Sequence, residues 1–168
     1  MTKWWTDVYG DPCVECGFDW SITARRAAAE IQGAPARYRE LLDGTDGSQR
    51  LPELAWSAKA YVFHVADNLW IWAERMAGAV AGASGEVPGY DQDRLAKDRE
   101  YENMPVESAL WSLDRAVTAW MEVFATAEER AVVLVHPYGG RLEVGDVALG
   151  NGHDVRHHTY DLSRLTER

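Results

Sequence analysis

Apolar side chains recur at helical spacing in four long stretches of the chain, which predicts four main helices. A stripe of apolar residues at every third or fourth position is the pattern of a helix that buries one face. The predicted helices cover residues 21–42, 57–81, 105–124 and 146–165. Gly33 and Pro35 should break or kink the first helix, because proline cannot donate a helical hydrogen bond. A charged crossover from Asp91 to Tyr101 separates the second helix from the third.

The starts of these stretches carry residues that favour helix N-termini. Ser21, Ser57 and Asp146 have short polar side chains, which accept hydrogen bonds from the unpaired N–H groups of a first helical turn. Pro105 suits the first position of the third helix, where no N–H is required. We therefore expect the four helices to begin at or next to these residues.

Two segments lack the helical period. Residues 1–20 are rich in aromatic side chains and should form an ordered arm packed on the body of the protein. Residues 131–144 contain a β-branched run and a Gly139-Gly140 turn, which predicts either a small hairpin or an extended loop. Taken together, the four helices and the crossover predict an all-α, four-helix bundle with a long crossover, which forms one domain over residues 1–168. Such bundles carry metal sites on facing helices.

Composition and charge narrow the class of protein. With 168 residues, 46% hydrophobic content and eight Trp, the chain can build one sizeable core. A net charge of −10 argues against a nucleic-acid surface, which needs a basic stripe. No apolar run approaches the roughly 18 residues of a membrane span, and no leader-like segment opens the chain. We expect a cytoplasmic protein that binds neither membrane nor nucleic acid.

The candidate chemistry lies near the C-terminus, where three of the five histidines fall within residues 153–158. An i, i+4 spacing places two side chains on one helix face, one turn apart. Two pairs satisfy it: His153 with His157, and Asp154 with His158. Either pair could bind Zn²⁺ or a similar divalent ion, with His64 of the second helix as the third ligand.

Helical phase favours one of the two pairs. At about 100° per residue, His158 falls on the arc of the apolar residues Val155 and Leu162, with Asp154 beside it. His153 and His157 lie roughly a quarter turn or more away. Asp154 and His158 are therefore the more inward pair, but a site at the mouth of the bundle would use the other.

Cys13 and Cys16 form a C-x-x-C motif in the aromatic arm. Two cysteines make half of a structural zinc site, and the chain holds no second cysteine pair to complete it. A redox dithiol would need a thioredoxin-like context, which the sequence lacks. We interpret the motif as a structural turn with incidental thiols, ahead of a role in metal or redox chemistry.

The order of these residues resembles the DinB/YfiT-like metal-binding superfamily. The resemblance rests on His64, the crossover Tyr90-Asp91-Gln92-Asp93 and the motif His153-Asp154-x-x-His157-His158-x-x-Asp161-Leu162. The segment Cys13-x-x-Cys16-Gly17-Phe18-Asp19 is similar to an arm of actinobacterial-type members, among whose relatives is mycothiol-dependent maleylpyruvate isomerase. The resemblance implies a four-helix bundle that holds a divalent metal, Zn or Ni, on three residues, frequently as a homodimer.

Carried over by position, the family pattern gives the same candidate ligands. The first ligand matches His64. The isomerase-type pattern of an acidic residue, three residues, His, two residues and Asp-Leu matches Asp154, His158 and Asp161, with Asp where Glu is usual. A His-acid-x-x-His pattern of other members would match His153 and His157.

The expected function is a metal-dependent enzyme of the thiol-transferase or isomerase type. Three protein ligands leave a position where a low-molecular-weight thiol such as mycothiol could bind as thiolate and attack a small electrophilic substrate. Water in that position would give a hydrolase. His157 is the candidate general base, and Asp161 would accept the remaining ring N–H of His158. The rival is a non-catalytic protein that binds metal or a small ligand.

Overall fold

Four long helices organise the protein, whose computed structural model describes residues 4–166. In chain order the elements are α1 (Trp4–Tyr9), α2 (Ala24–Leu42), α3 (Ala58–Val80), α4 (Gln92–Asp98), a 3₁₀ turn (Tyr101–Asn103), α5 (Val106–Glu129), β1 (Val133–His136), β2 (Gly140–Glu143) and α6 (Val144–Thr166). The predicted four-helix bundle is confirmed. Residues 1–3 and 167–168, the two ends of the predicted domain, lie outside the described residues. Within the described range, no helix is long and apolar enough to cross a membrane.

The four bundle helices are α2, α3, α5 and α6. The most extensive pairings are α3 with α5 and α2 with α6, and further contacts join α3 to α6 and α2 to α5. The large side chains of the core are fully buried: Ile31, Tyr38, Phe63, Leu69, Met76, Leu113, Trp120 and Leu162. Burying one such side chain stabilises the fold by about 1.5–3 kcal/mol. Since α6 packs on both α2 and α3, its position is set from two sides.

Polar groups in this core have partners. The indole Nε1 of Trp120 donates to the side-chain oxygen of Asn151 at 2.8 Å. The hydroxyl of Tyr38 donates to the backbone carbonyl of Val155 at 3.0 Å. A buried polar group without a partner would cost about 1–3 kcal/mol. Both bonds end on α6, so they help to fix the helix that carries the candidate ligands.

The first two bundle helices begin close to the predicted positions. Ser57 caps α3 as predicted, since its side chain accepts from the N–H of Ala60. For α2 the predicted cap was wrong: Thr23 fills that position, and its side chain accepts from the N–H of Arg26. Pro35 lies inside α2 and does not end it. Proline removes one helical hydrogen bond, but buried residues on both sides of it hold the helix against the bundle.

The last two bundle helices also depart slightly from prediction. Pro105 is the residue before α5, one position earlier than predicted. α6 starts at Val144, directly after β2, so the prediction that Asp146 is the N-terminal cap was wrong. Asp146 lies in the first turn, and its carboxylate accepts from the N–H of Glu143 at 3.0 Å. In a capping box, a side chain in the first turn accepts a hydrogen bond from the backbone N–H of the residue before the helix, as Asp146 does here.

The two segments without helical period have defined structures. Residues 133–143 form the hairpin that was one of two predicted alternatives, with Leu134 opposite Leu142 in an antiparallel register. The N-terminal arm begins with the short helix α1, which its sequence pattern did not predict. The ring of Trp5 stacks on that of Trp20 at 5.9 Å and lies against α6 at Gly150, where an added Cβ would be 3.5 Å from the ring. The arm is thus packed on the body, as expected.

Candidate metal centre

Three candidate ligands predicted from the sequence meet between α3 and α6. Nε2 of His64 lies 3.6 Å from Oδ1 of Asp154, and Nε2 of His158 lies 3.5 Å from the same oxygen. A ligand atom from each of the three residues lies within 4.8 Å of the others. Donors bound to one Zn²⁺ at about 2.0–2.2 Å are roughly 3–3.6 Å apart. The three side chains therefore fit a divalent metal with only small adjustments.

Helix geometry accounts for this meeting. Asp154 and His158 are one turn apart on α6, and Asp154 lies close to His64 of α3. On α3, His64 is buried, with 5% of its surface exposed. The contact between α3 and α6 then brings the imidazole and the pair together.

Neighbouring side chains hold Asp154 in place. The amide nitrogen of Asn68, one turn along α3 from His64, donates to Oδ2 of Asp154 at 2.9 Å. The hydroxyl of Tyr90 donates to the amide oxygen of Asn68 at 3.0 Å, and burial raises the pKa of Tyr90, which keeps that proton in place. Oδ1 of Asp154 is left facing the two imidazoles.

Asp161 orients His158 from the opposite side. Nδ1 of His158 lies 2.8 Å from Oδ2 of Asp161, one turn further along α6. The hydrogen bond directs Nε2 toward Asp154 and His64. A carboxylate on the outer nitrogen of a histidine is the usual support of a metal-binding imidazole. The structure therefore places Asp161 where its predicted orienting role requires it.

The electrostatics of the three-ligand cluster favour a cation between the carboxylates. Burial opposes a charge on His158, but its hydrogen bonds to Asp154 and Asp161 outweigh this and raise its pKa to about 9. Burial likewise opposes the charge on Asp154, but the charge of His64 and hydrogen bonds from both imidazoles lower its pKa well below the usual value. A divalent ion would supply the positive charge that this arrangement favours.

A cavity of about 240 Å³ is lined by two of the three ligands, His64 and Asp154. It is bounded by α3, α6, the crossover and the hairpin, and its lining includes His64, Asn68, Trp72, Arg75, His136 and Asp154. His64, Asn68, Trp72 and Arg75 share one face of α3, at spacings of four, four and three residues. The cavity therefore reaches from the ligands to a guanidinium about three helical turns away.

Arg75 provides a positive charge at the far end of the cavity. Its Nη2 donates to the carbonyl of Pro88, and its guanidinium lies 4.5 Å over the ring of Trp72. Its Nη1 is buried and has no hydrogen-bond partner among the described residues. Nearby, Nδ1 of His136 accepts from two backbone N–H groups, at 3.2 and 3.3 Å. Burial and the charge of Arg75 lower the pKa of His136, so the neutral ring carries its proton on Nε2.

The other i, i+4 pair of α6 faces the N-terminal arm. His153 and His157 lie beside Cys13 and Cys16, and a ligand atom from each of the four is within 4.8 Å of the others. From the sequence, we considered the two pairs separately. The combined spacings C-x₂-C and H-x₃-H, both common in zinc sites, were the signal for their meeting.

His157, the predicted general base, has neighbours on both ring nitrogens. Nδ1 lies 3.7 Å from Sγ of Cys13, and Nε2 lies 3.1 Å from a carboxylate oxygen of Glu15. Burial and the charge of His158 lower the pKa of His157. Burial also raises the pKa of the Cys16 thiol to about 12. The catalytic role of His157 stays a prediction.

The fold and the first cluster define a four-helix-bundle protein with a candidate three-ligand metal centre. The model of the DinB superfamily matches residues 30–161. The chain belongs to the DinB superfamily, which confirms the resemblance seen in the sequence. The matched range contains His64, Asp154, His158 and Asp161 but not the arm with Cys13.

One solved structure gives a close match in fold. YfiT from Bacillus subtilis, described as a probable metal-dependent hydrolase with an unusual four-helix bundle topology, aligns with a TM-score of 0.68 and 16% sequence identity. The alignment covers 84% of this chain and 86% of YfiT. A comparison with curated proteins finds no match. At this level of identity, the likeness to YfiT establishes the shared fold.

Proposed function

We propose that the protein is an enzyme that holds a divalent metal, zinc or nickel, on His64, Asp154 and His158 and acts on a small substrate in the adjoining cavity. The observation that carries the proposal is the convergence of three donor atoms, two of them from residues that line that cavity, His64 and Asp154. Three protein ligands leave open positions on a metal, which is the arrangement of catalytic rather than structural sites. Membership of the DinB superfamily and the likeness to YfiT support a metal-dependent function.

The protein's own groups have distinct tasks in this proposal. The metal, when bound, supplies Lewis acidity and lowers the pKa of a coordinated thiol or water. Asp161 and Asn68 orient two of the ligands through their hydrogen bonds. The ring of Trp72 and the rest of the cavity wall exclude bulk water from the substrate. These groups are held by helices, so the site is already formed before substrate binds.

Arg75 is proposed to bind an anionic group of the substrate. A buried N–H donor without a partner costs free energy, and a carboxylate or phosphate oxygen would satisfy it with a charge-assisted bond. The neutral ring of His136 lines the same cavity. The substrate would then place its anion near Arg75 and its electrophilic atom near the metal.

The leading reaction is transfer of a low-molecular-weight thiol, such as mycothiol, or a thiol-dependent isomerisation. Its support is the resemblance of Asp154, His158 and Asp161 to the isomerase-type pattern. The second candidate is hydrolysis, with water as the nucleophile, and its support is the description of YfiT as a probable metal-dependent hydrolase. We further propose a homodimer, as the resemblance implies, and a location in the cytoplasm, as expected from the acidic composition.

The test compares metal content and turnover in protein purified without a His tag. Wild type should hold metal and lose activity with a chelator, and Asp154→Asn should hold less metal than wild type and lose activity. Asp98→Asn, an exposed change on α4, is the matched control and should behave as wild type. Thiol-dependent consumption of 1-chloro-2,4-dinitrobenzene would favour thiol transfer, and thiol-independent cleavage of 4-nitrophenyl acetate would favour hydrolysis. Metal content unchanged in Asp154→Asn would refute the proposed ligand set.

A further inference from the structure

We infer that the protein has a second metal site, a structural zinc site formed by Cys13 and Cys16 of the arm with His153 and His157 of α6. The four ligand atoms lie within 4.8 Å of one another, and Sγ of Cys13 is 3.7 Å from Nδ1 of His157. With Zn–S near 2.3 Å and Zn–N near 2.0–2.1 Å, tetrahedral donors are roughly 3.4–3.8 Å apart. The cluster is therefore close to the size that one zinc ion requires.

The chemistry of the four donors fits zinc better than it fits a harder divalent cation. Two cysteines with two histidines are an established structural zinc set, and the spacings of two and three intervening residues lie in the usual range. Soft sulfur ligands also select zinc over magnesium or manganese. Both cysteines are free thiols, not joined to each other. Four protein ligands close the coordination shell, which is typical of a structural site.

His153 gives an independent indication of a missing partner. Only 4% of its surface is exposed, and its ring is surrounded by those of Tyr9 and Trp20, at 4.5 and 4.6 Å. Its Nε2 is buried without a hydrogen-bond partner among the described residues. Since buried polar atoms are nearly always satisfied, an unsatisfied imidazole beside two thiols points to a metal ligand.

The arm is shaped to present the two sulfur atoms. The N–H of Cys13 donates to the carbonyl of Phe18, and its carbonyl accepts from the N–H of Gly17, both at 2.9 Å. Gly17 has a φ of +68°, a left-handed conformation that glycine adopts without strain. These bonds close a tight loop around Cys16. The cysteines are thereby held on the side of the arm that faces α6.

Glu15 completes the surroundings of His157. Its carboxylate lies 3.1 Å from Nε2, while Nδ1 of the same ring faces Cys13. A carboxylate on the outer nitrogen of a histidine ligand fixes the ring and strengthens metal binding. Asp161 stands in the same relation to His158 at the first site. This arrangement assigns His157 to the zinc site as a ligand, in place of the general-base role predicted from the sequence.

The two sites use different residues of the same motif on α6. Asp154 and His158 face His64, and His153 and His157, each one position earlier, face the arm. The two pairs that were alternatives in the sequence are therefore both used. The arm lies outside the range matched by the DinB superfamily, residues 30–161. Its site goes beyond the proposed enzymatic function and does not depend on it, although Trp5 and Tyr9 of the arm line the substrate cavity.

The test is zinc stoichiometry in tag-free protein reconstituted under reducing conditions. Wild type should bind two zinc ions per chain. The variant Cys13→Ser/Cys16→Ser should bind one, and His64→Ala/Asp154→Asn should also bind one, at the arm. Loss of all zinc in His64→Ala/Asp154→Asn, with zinc retained in the wild type, would overturn the second site. If His64→Ala/Asp154→Asn loses only the zinc of the first site, the arm site is supported, whether or not enzymatic activity is found.

X-ray absorption identifies the ligands directly. The zinc bound to His64→Ala/Asp154→Asn should show two sulfur neighbours at about 2.3 Å and nitrogen neighbours at about 2.0–2.1 Å. A spectrum without sulfur, or a Cys13–Cys16 disulfide in protein prepared with reductant, would overturn the proposal. This measurement needs no cysteine variant, so it decides the question even if Cys13→Ser/Cys16→Ser does not fold. In the same background, Glu15→Gln should weaken zinc binding about tenfold.

Discussion

Removing the carboxylate of Asp161 should weaken metal binding at the first site without unfolding the protein. Asp161 is 4% exposed, and its Oδ2 is 2.8 Å from Nδ1 of His158. Loss of such an outer partner costs about 10–100-fold in metal affinity, or about 1.4–2.7 kcal/mol. In Asp161→Asn, the amide oxygen can still accept a neutral hydrogen bond, roughly half as strong as the charged one. We expect about tenfold weaker binding for Asp161→Asn and nearer one hundredfold for Asp161→Leu.

The assay is zinc affinity by competition with a chromophoric chelator. Every protein in the series carries Cys13→Ser and Cys16→Ser, so that sulfur ligands contribute nothing to the signal. Asp98→Asn is the control for the loss of an acidic side chain and should bind as tightly as its parent. Circular dichroism checks that each variant is folded. Equal zinc affinity in folded Asp161→Leu and in its parent would refute the claim that this carboxylate orients a metal ligand.

Three further predictions follow from the packing and the charges. Gly152→Ala should destabilise the protein by about 1–3 kcal/mol in chemical unfolding, because the new Cβ would lie 3.0–3.2 Å from atoms of Ala27 on α2. The control Gly145→Ala should not destabilise it, because its Cβ would be 3.6 Å from Ala24. Equal losses of stability in both variants would contradict the close approach of α6 to α2. Arg75→Met should raise KM for an anionic substrate about tenfold or more at unchanged zinc content, and an equal rise for a neutral analogue would argue against a charge interaction. At a free metal concentration of about 1,000 times Kd, bound metal should stabilise the fold by roughly 4 kcal/mol. Removing the metal with a chelator should therefore lower Tm by about 8–16 °C. A Tm unaffected by chelator would mean that no metal is bound.

The sequence predicted the parts of the fold that depend on local patterns. The apolar period and Ser57 gave α3 within one residue at either end, because capping and amphipathicity act over a few residues. The start of α6 was missed, because β2 runs directly into it and Glu143 is no typical capping residue. The helix α1 was missed because it is only six residues long and because the packing of its Trp5 on Trp20 and α6 is not a local pattern.

In the candidate sites, too, the sequence predicted what one helix determines and missed what depends on distant contacts. Helical phase separated the pair Asp154 and His158 from the pair His153 and His157, since the direction of a side chain on a helix depends on that helix alone. Phase did not anticipate that His153, away from the apolar arc, is buried under the arm. The meeting of Cys13 with His157 joins residues 144 positions apart. The two spacings, C-x₂-C and H-x₃-H, are typical of one zinc site, but the contact itself depends on how the arm folds back over α6. Arg75 was likewise not singled out, because a lone arginine on an amphipathic helix is ordinary until its cavity is known.

The most direct test of the metal centre is an anomalous difference map, recorded at the zinc absorption edge, from crystals of the reconstituted protein. We predict a peak about 2.0–2.2 Å from Nε2 of His64, Nε2 of His158 and Oδ1 of Asp154. A map in which those three side chains surround no anomalous peak would contradict the proposed centre, whether or not zinc is bound at the arm.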